Sequence, residues 1–150
     1  KAQNVPAIHD ITTDTQNPPE FVAIAPLRAD ASNPAEYAGE DTAKQQRKAY
    51  PELTTYESLE SPDELFSAAL LAVDKMGWEL VDSSETEGRI EATATTTWFG
   101  FKDDVVIRIR ATADGSELDI RSKSRVGRSD VGKNADRIRE YLSQLKPELR

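Results

Sequence analysis

A basic stretch that leads from a predicted strand into a predicted helix carries the most concentrated chemistry in this sequence. Between positions 121 and 139 there are seven basic and two acidic side chains. The free N–H groups and the positive dipole end at the start of a helix favour an anion, and nearby arginine or lysine side chains strengthen such a site. We therefore predict an anion-binding site here. Its residues are Arg121, Arg125, Arg128, Lys133, Asn134 and Arg137.

The same stretch also has a purely structural interpretation. Ser129 or Asp130 can cap the helix and satisfy its first N–H groups without any ligand. The arginines can then pair with Asp103, Asp104, Asp119 or the acidic first part of the chain. The residue types alone leave both interpretations open.

The charge distribution limits the class of partner. The chain has a net charge of −8, which argues against nucleic acid as the main partner. Residues 1–88 carry a net charge of −11 and residues 89–150 a net charge of +3. Such a split indicates either a basic surface for an anion or an acidic part folded against a basic one. From the charge distribution, the partners we expect are an anionic small molecule or a protein.

Catalysis has weak support in the sequence. Asp103 and Asp104 form the only carboxylate pair near a predicted strand, and with Arg125 they suggest a hydrolase-like alternative. Adjacent strand residues, however, point to opposite faces of a sheet. His9, beside Asp10, is the only histidine and the chain has no cysteine, so we expect no metal and no cofactor. No nucleophile-elbow pattern and no phosphate-binding glycine loop is present.

Three aromatic residues surround a glycine in the segment Trp98–Phe101. Exposed at a hairpin tip, they would form an apolar wedge that docks on a membrane interface or a partner. The alternative is that the loop folds back and its rings cap one end of the core.

The spacing of apolar residues predicts the scaffold that positions these groups. Ser61-Pro62-Asp63-Glu64 has the form of a capping box and opens an amphipathic helix that Gly77 ends. Period-two alternation then predicts four antiparallel strands up to Lys123, and a second amphipathic helix follows from near Ser129. Asp114-Gly115 is a strong hairpin signal.

These elements define an α+β fold. We predict an antiparallel four- to five-stranded sheet with two main helices packed on one face, plus an irregular N-terminal wrap and a third helix. The chain is predicted to be a single domain over 1–150. The wrap covers 1–60, with a helix near 34–49 that Asn33 would cap, and the helix–sheet–helix core covers 61–146.

The face of the sheet opposite the helices is predicted to be polar. Cross-strand charge pairing in solvent would explain it, and a groove shaped by the N-terminal segment crossing it is the alternative. The residues of this face are Glu91, Thr93, Thr95, Arg108, Arg110, Asp119, Arg121 and Lys123.

Several blocks together resemble the domain-of-unknown-function family numbered fourteen ninety-nine, found in bacteria and plastids. The matching blocks are His9–Asp14, Pro18–Phe21, Gln46 with Ala49–Pro51, Gly77-Trp78, Gly100–Asp104, and Ser122–Arg125 with Gly127, Asp130, Gly132, Asn134, Ala135, Arg137 and Ile138. The family usually has asparagine where His9 stands. The resemblance implies no catalytic residues, and it implies that the N-terminal loop is an integral part of the domain.

The resemblance also suggests a compartment, because proteobacterial members often follow membrane-spanning segments. It implies a periplasmic domain, or one anchored to the membrane and facing the periplasm, with a possible tether upstream of Lys1. The leading functional hypothesis is thus a non-catalytic envelope-associated domain that binds an anionic ligand or a protein partner. A purely structural module is a further alternative, which burial of Asp10, Asp14 and Phe21 against the basic segment would favour.

Overall fold

The computed structural model describes residues 8–96, 100–127 and 132–149. It has the predicted α+β architecture, with an antiparallel sheet of six strands and two main helices on one face. The elements are β1 (Asp10–Thr12), α1 (Glu40–Ala49), β2 (Tyr56–Ser58), α2 (Pro62–Met76), β3 (Glu79–Ser84), β4 (Arg89–Thr95), β5 (Lys102–Ala111), β6 (Ser116–Ser124) and α3 (Lys133–Leu145). Short 3-10 helices lie at Ala25–Arg28 and Lys146–Glu148.

Helix α2 forms as predicted. The Ser61 hydroxyl accepts a hydrogen bond from the Glu64 N–H at 3.2 Å, and the Glu64 carboxylate accepts the Ser61 N–H at 3.4 Å, which completes the capping box. Gly77 ends the helix in the left-handed conformation, with φ of 76°. None of the helices among the described residues is both long enough and apolar enough to cross a membrane.

The two main helices and the sheet share one apolar core. Tyr141 on α3 is fully buried, stacks on Trp78 with ring centroids 5.3 Å apart, and donates a hydrogen bond to the Ala69 carbonyl of α2 at 2.8 Å. Fully buried Ile107 and Ile120 from the two central strands belong to the same cluster. This face of the sheet is therefore sealed by α2 and α3.

Strand β6 anchors both short strands of the N-terminal half. Asp10 of β1 lies opposite Lys123, and Tyr56 of β2 lies opposite Leu118, so the two strands follow one another along the same edge of β6. The Thr13 N–H donates to the Ile120 carbonyl at 3.0 Å in the gap between them. Strand β1 was not predicted, because its three residues are all buried and show no alternation.

The N-terminal wrap departs from prediction at the third helix. Helix α1 begins at Glu40, not near residue 34, so the predicted helix start at Asn33 is wrong. The Asn33 amide instead donates to the carbonyls of Ser124 and Gly127 at 3.0 and 2.7 Å. These long-range hydrogen bonds occupy the Asn33 side chain, which the local pattern predicted as the helix cap.

Helix α3 also starts later than predicted. The predicted start at Ser129-Asp130 falls in 128–131, outside the described residues. Gly132 has a φ of 84°, which no helical residue adopts, and α3 begins at Lys133.

Gly88 and Gly100 provide a matched test of the turns. Both have positive φ, 67° and 66°, but a Cβ on Gly88 would clash with the Ile109 carbonyl, whereas a Cβ on Gly100 would have no atom of the described residues within 4 Å. Gly100→Ala should lower the free energy of unfolding by about 1 kcal/mol through the left-handed backbone alone. Gly88→Ala should cost about 3 kcal/mol because β5 must also shift. Urea unfolding measures both, and equal losses would contradict this packing.

Candidate functional site

The centre of the polar sheet face is the Asp10 carboxylate, which is fully buried. Arg121 binds it through two nitrogens, Nε at 2.9 Å and Nη2 at 3.1 Å. The Lys123 ammonium lies 3.5 Å from the same carboxylate, and the Ala38 N–H donates to it at 3.2 Å. Asp10 thus links the N-terminal wrap to Arg121 and Lys123, whose side chains lie on the sheet face opposite the helices.

The remaining donors of Arg121 also bind the wrap. Its guanidinium donates to the carbonyls of Pro19 and Ala35, both at 2.8 Å, and lies 4.7 Å from the centre of the Phe21 ring. The Arg121 side chain is only 2% exposed. A cation with this many internal partners orders the segment that covers it.

A second ionic cluster lies at the end of β6. The fully buried Asp104 carboxylate receives Arg28 from the wrap at 3.0 Å and a bidentate pair of bonds from Arg125 at 2.8 and 3.0 Å. Arg28 further donates to the carbonyls of Asn33 and Ser124. Burial, partly offset by Asp104, lowers the pKa of Arg28, whereas the hydrogen bonds that Arg125 donates to Asp104 raise the pKa of Arg125.

A third buried carboxylate, Glu91, takes the place that an anion would occupy. It accepts the backbone N–H groups of Val22, Ala23 and Ile24 at 2.9–3.1 Å and also contacts Arg89. Successive N–H groups that converge in this way form an anion-binding concavity. Here the protein fills that concavity with its own side chain.

The predicted polar face is therefore covered. The N-terminal segment crosses it, and the second small core of Phe21, Ile24 and Val106 lies between the two. Phe21 and Ile24 thus hold the N-terminal segment on the sheet, while Val22 and Leu27 are exposed.

The helix-facing side of the same end of β6 carries a separate polar cluster. Arg137 forms an ion pair with Asp103 at 2.8 Å and donates to the Ser122 hydroxyl at 3.2 Å and the Asn134 side-chain oxygen at 2.8 Å. The Asn134 amide donates to the Ser124 hydroxyl at 3.0 Å. These contacts fix the start of α3 on the sheet.

Of the six residues predicted to bind an anion, the five that the structure describes lie toward one end of β6 and at the start of α3, but on different faces. Arg121 and Arg125 face the wrap, and Asn134 and Arg137 face the helices. Lys133 is exposed at the first position of α3, and Arg128 lies outside the described residues. The acidic first part of the chain folds against one of these cations, because Asp10 pairs with Arg121, and Asp10 also pairs with Lys123 beside it.

Asp103 and Asp104 do not form the catalytic pair of the hydrolase alternative. Asp103 pairs with Arg137 on the helix side of β5, and Asp104 pairs with Arg28 and Arg125 on the opposite side. Adjacent strand residues cannot converge on one substrate atom, which is the physical reason. Across the part of the chain that the structure describes, no three His, Cys, Asp or Glu side chains cluster to hold a metal ion.

Sequence reasoning missed Arg28 as a member of the site, and it placed Glu91 on the polar face without its backbone partners. Both lie far along the chain from their partners, which are 76 and about 68 residues away. No local pattern marks such contacts. Of the three aromatic residues in the segment Trp98–Phe101, Phe101 is 50% exposed, and Trp98 and Phe99 lie outside the described residues.

Fold and site together define an α+β domain whose sheet is covered by helices on one face and by an ionically anchored N-terminal segment on the other. The family described as "Protein of unknown function (DUF1499)" matches residues 10–145, which covers β1 through α3. The chain belongs to this family, as the resemblance of its sequence blocks predicted. No curated protein sequence matches the chain.

Asp10→Ala should lower the free energy of unfolding by about 3–5 kcal/mol, because it leaves Arg121 and Lys123 buried without their carboxylate. Glu52→Ala breaks the exposed ion pair with Arg139 and should cost less than about 1 kcal/mol. Chemical denaturation of both variants gives the comparison. A loss in Asp10→Ala as small as that in Glu52→Ala would mean that this anchor does not hold the wrap.

The stability of the domain should depend on pH through His9. Its Nδ1 atom is buried and has no hydrogen-bond partner among the described residues, and burial, reinforced by the Lys123 ammonium, lowers the pKa of His9. The unfolded chain therefore takes up the proton first, so stability should fall as the pH drops below about 6.5 and the loss should level off below the folded-state pKa. His9→Asn should remove this part of the acid loss. Unfolding curves from about pH 8 to pH 5 measure it, and identical pH profiles for both proteins would contradict it.

Proposed function

We propose that this domain is a non-catalytic module that binds an anionic group at the end of β6 where α3 begins. The observation that carries the proposal is a local positive excess in a chain of net charge −8. Five cations and three carboxylates meet in ion pairs at this end of the sheet. They are Arg28, Arg121, Lys123, Arg125 and Arg137, against Asp10, Asp103 and Asp104.

The most accessible cations of this cluster are held in position. The side chains of Arg125 and Arg137 are 19% and 11% exposed, and each is tied to a carboxylate that is at most 5% exposed. Exposed Lys102 and Lys133 add charge at the same end. Lys102 lies beside Arg125, whose backbone N–H donates to the Lys102 carbonyl at 3.2 Å, and Lys133 is the first residue of α3. Oriented cations of this kind favour a carboxylate or a phosphate group.

A purely structural module is the second candidate, supported by a separate observation. Asp10 is fully buried and Phe21 is 7% exposed, both against Arg121, while Asp14 remains partly exposed and pairs with Arg108. On this candidate the buried ion pairs serve only to hold the wrap, and no anion binds.

We also propose that the domain faces the periplasm, either free or anchored to the membrane. The family resemblance supports this placement. Protease accessibility of the domain in spheroplasts of a bacterium expressing the full-length protein tests it, and protection from protease would overturn it.

Titration with inorganic phosphate and with a hexaglutamate peptide, followed by NMR chemical-shift changes, tests the anion site. Both sources of negative charge should shift resonances at Arg125, Arg137 and Lys133. Lys133→Glu should weaken binding about tenfold because it reverses an exposed charge, and Lys44→Glu on α1 serves as the charge-matched control. Binding of phosphate alone would identify a small anion, and binding of the peptide alone would identify an acidic partner.

Arg125→Ala combined with Arg128→Ala separates the two candidates. The double variant should stay folded, because Arg28 still pairs with Asp104, yet should lose anion binding. Immediate unfolding of the double variant, or the absence of shifts with both probes in the wild type, would leave the structural module as the function of this domain.

A further inference from the structure

Two grooves lie at the opposite end of β6 from the proposed anion site. Their volumes are about 350 and 440 Å³, and both include residues of the β2–α2 connection, where Glu60 lines the first groove and Leu59 the second. The nine residues of β6 place them about 25 Å from Ser124. A ligand at one end would therefore leave the other end free.

The grooves contain the most exposed large apolar side chain of the described residues. Leu59 is 85% exposed, and Leu71 on the outer side of α2 is 53% exposed. Ala68 and the partly buried Leu149 extend this apolar surface in the first groove. Leu59 and Leu71 line neighbouring grooves, which distinguishes them from single apolar residues scattered on a surface.

Carboxylates surround this apolar surface, and none of the described residues that line the grooves is basic, although Lys75 pairs with the lining residue Glu148. The acidic lining residues are Glu57, Glu60, Asp63, Glu64, Asp114 and Glu148. Of these, Glu57, Asp63 and Asp114 form no ion pair within the described part of the chain. Glu57 also lies directly opposite Glu117 in the β2–β6 register, and Glu117 is the member of that pair that Arg110 neutralises.

The walls of the grooves are held rigidly. A Cβ on Gly115 would clash with the backbone of Ser58 and Leu59, so the β5–β6 turn packs directly against the end of β2. The Ser116 hydroxyl donates to the Glu60 carbonyl at 2.7 Å. A preformed surface loses little conformational entropy when a ligand binds.

We propose that these grooves bind a basic amphipathic segment of a partner protein. Aliphatic side chains of that segment would cover Leu59 and Leu71, and its lysine or arginine side chains would pair with the surrounding carboxylates. An anionic membrane is disfavoured by the repulsion of those carboxylates. A second copy of the chain is disfavoured by a net charge of −8 on each copy.

The test uses the full chain and a labelled synthetic peptide that repeats lysine and leucine at helical spacing. Fluorescence anisotropy should show binding that weakens as salt rises. Glu57→Lys with Asp63→Lys should weaken it at least tenfold, and so should Leu59→Ser with Leu71→Ser. The matched controls change residues of similar exposure outside the grooves: Glu20→Lys with Asp30→Lys, and Leu27→Ser with Leu80→Ser. They should leave binding unchanged.

Three results would overturn the proposal. The first is no peptide binding, or equal binding by groove and control variants. The second is equal binding of a lysine–serine peptide or of spermidine, which would show a simple acidic surface without an apolar component. The third is concentration-dependent self-association in sedimentation that the groove variants abolish, which would assign the grooves to a second copy. Circular dichroism of each variant confirms that the exposed substitutions leave the fold intact.

Discussion

The structure depends on one buried carboxylate. Asp10 has no exposed surface, and its charge is balanced by Arg121 and Lys123, which lie two residues apart on the same face of β6. Burying either cation alone would cost several kcal/mol. Because Asp10 belongs to β1, this requirement holds the N-terminal segment on the sheet and sets the register of its first strand.

The two faces of the sheet are buried by different kinds of contact. On the helix side, apolar residues such as Ile107 and Ile120 meet amphipathic helices, and burial needs no specific partner. On the other side an irregular segment covers charged residues, and each charge needs its own partner. Glu91 with its three backbone N–H donors is the clearest example. We interpret these buried ion pairs as selecting one arrangement of the N-terminal segment on the sheet more than as adding stability.

Internal pairing of this extent changes which parts of the molecule are available for function. The polar sheet face is occupied by the protein's own wrap, and Asp103 and Asp104 are divided between the two sides of β5. The two surfaces that we propose for binding lie at the two ends of β6. One end carries an excess of basic residues, and the other carries acidic residues with exposed leucines, so charges of opposite sign lie at the two ends of this strand.

The scaffold could be derived from the sequence because its signals are local. The capping box at Ser61, the left-handed Gly77 and the alternation along β5 each act within a few residues, and the structure has all three. The blocks shared with the family likewise identified its membership from residue types and order alone.

The tertiary structure decided everything that depends on contacts between distant residues. Asn33 donates to carbonyls more than ninety residues away and does not cap a helix as predicted. Arg28 pairs with Asp104, and no local pattern predicts this pair. The sequence determined that acidic and basic parts exist and left open whether they meet each other or an outside partner. Folding decided that Asp10 meets Arg121, since the free energy of a buried charge depends on the partner beside it in space and not on its neighbours along the chain.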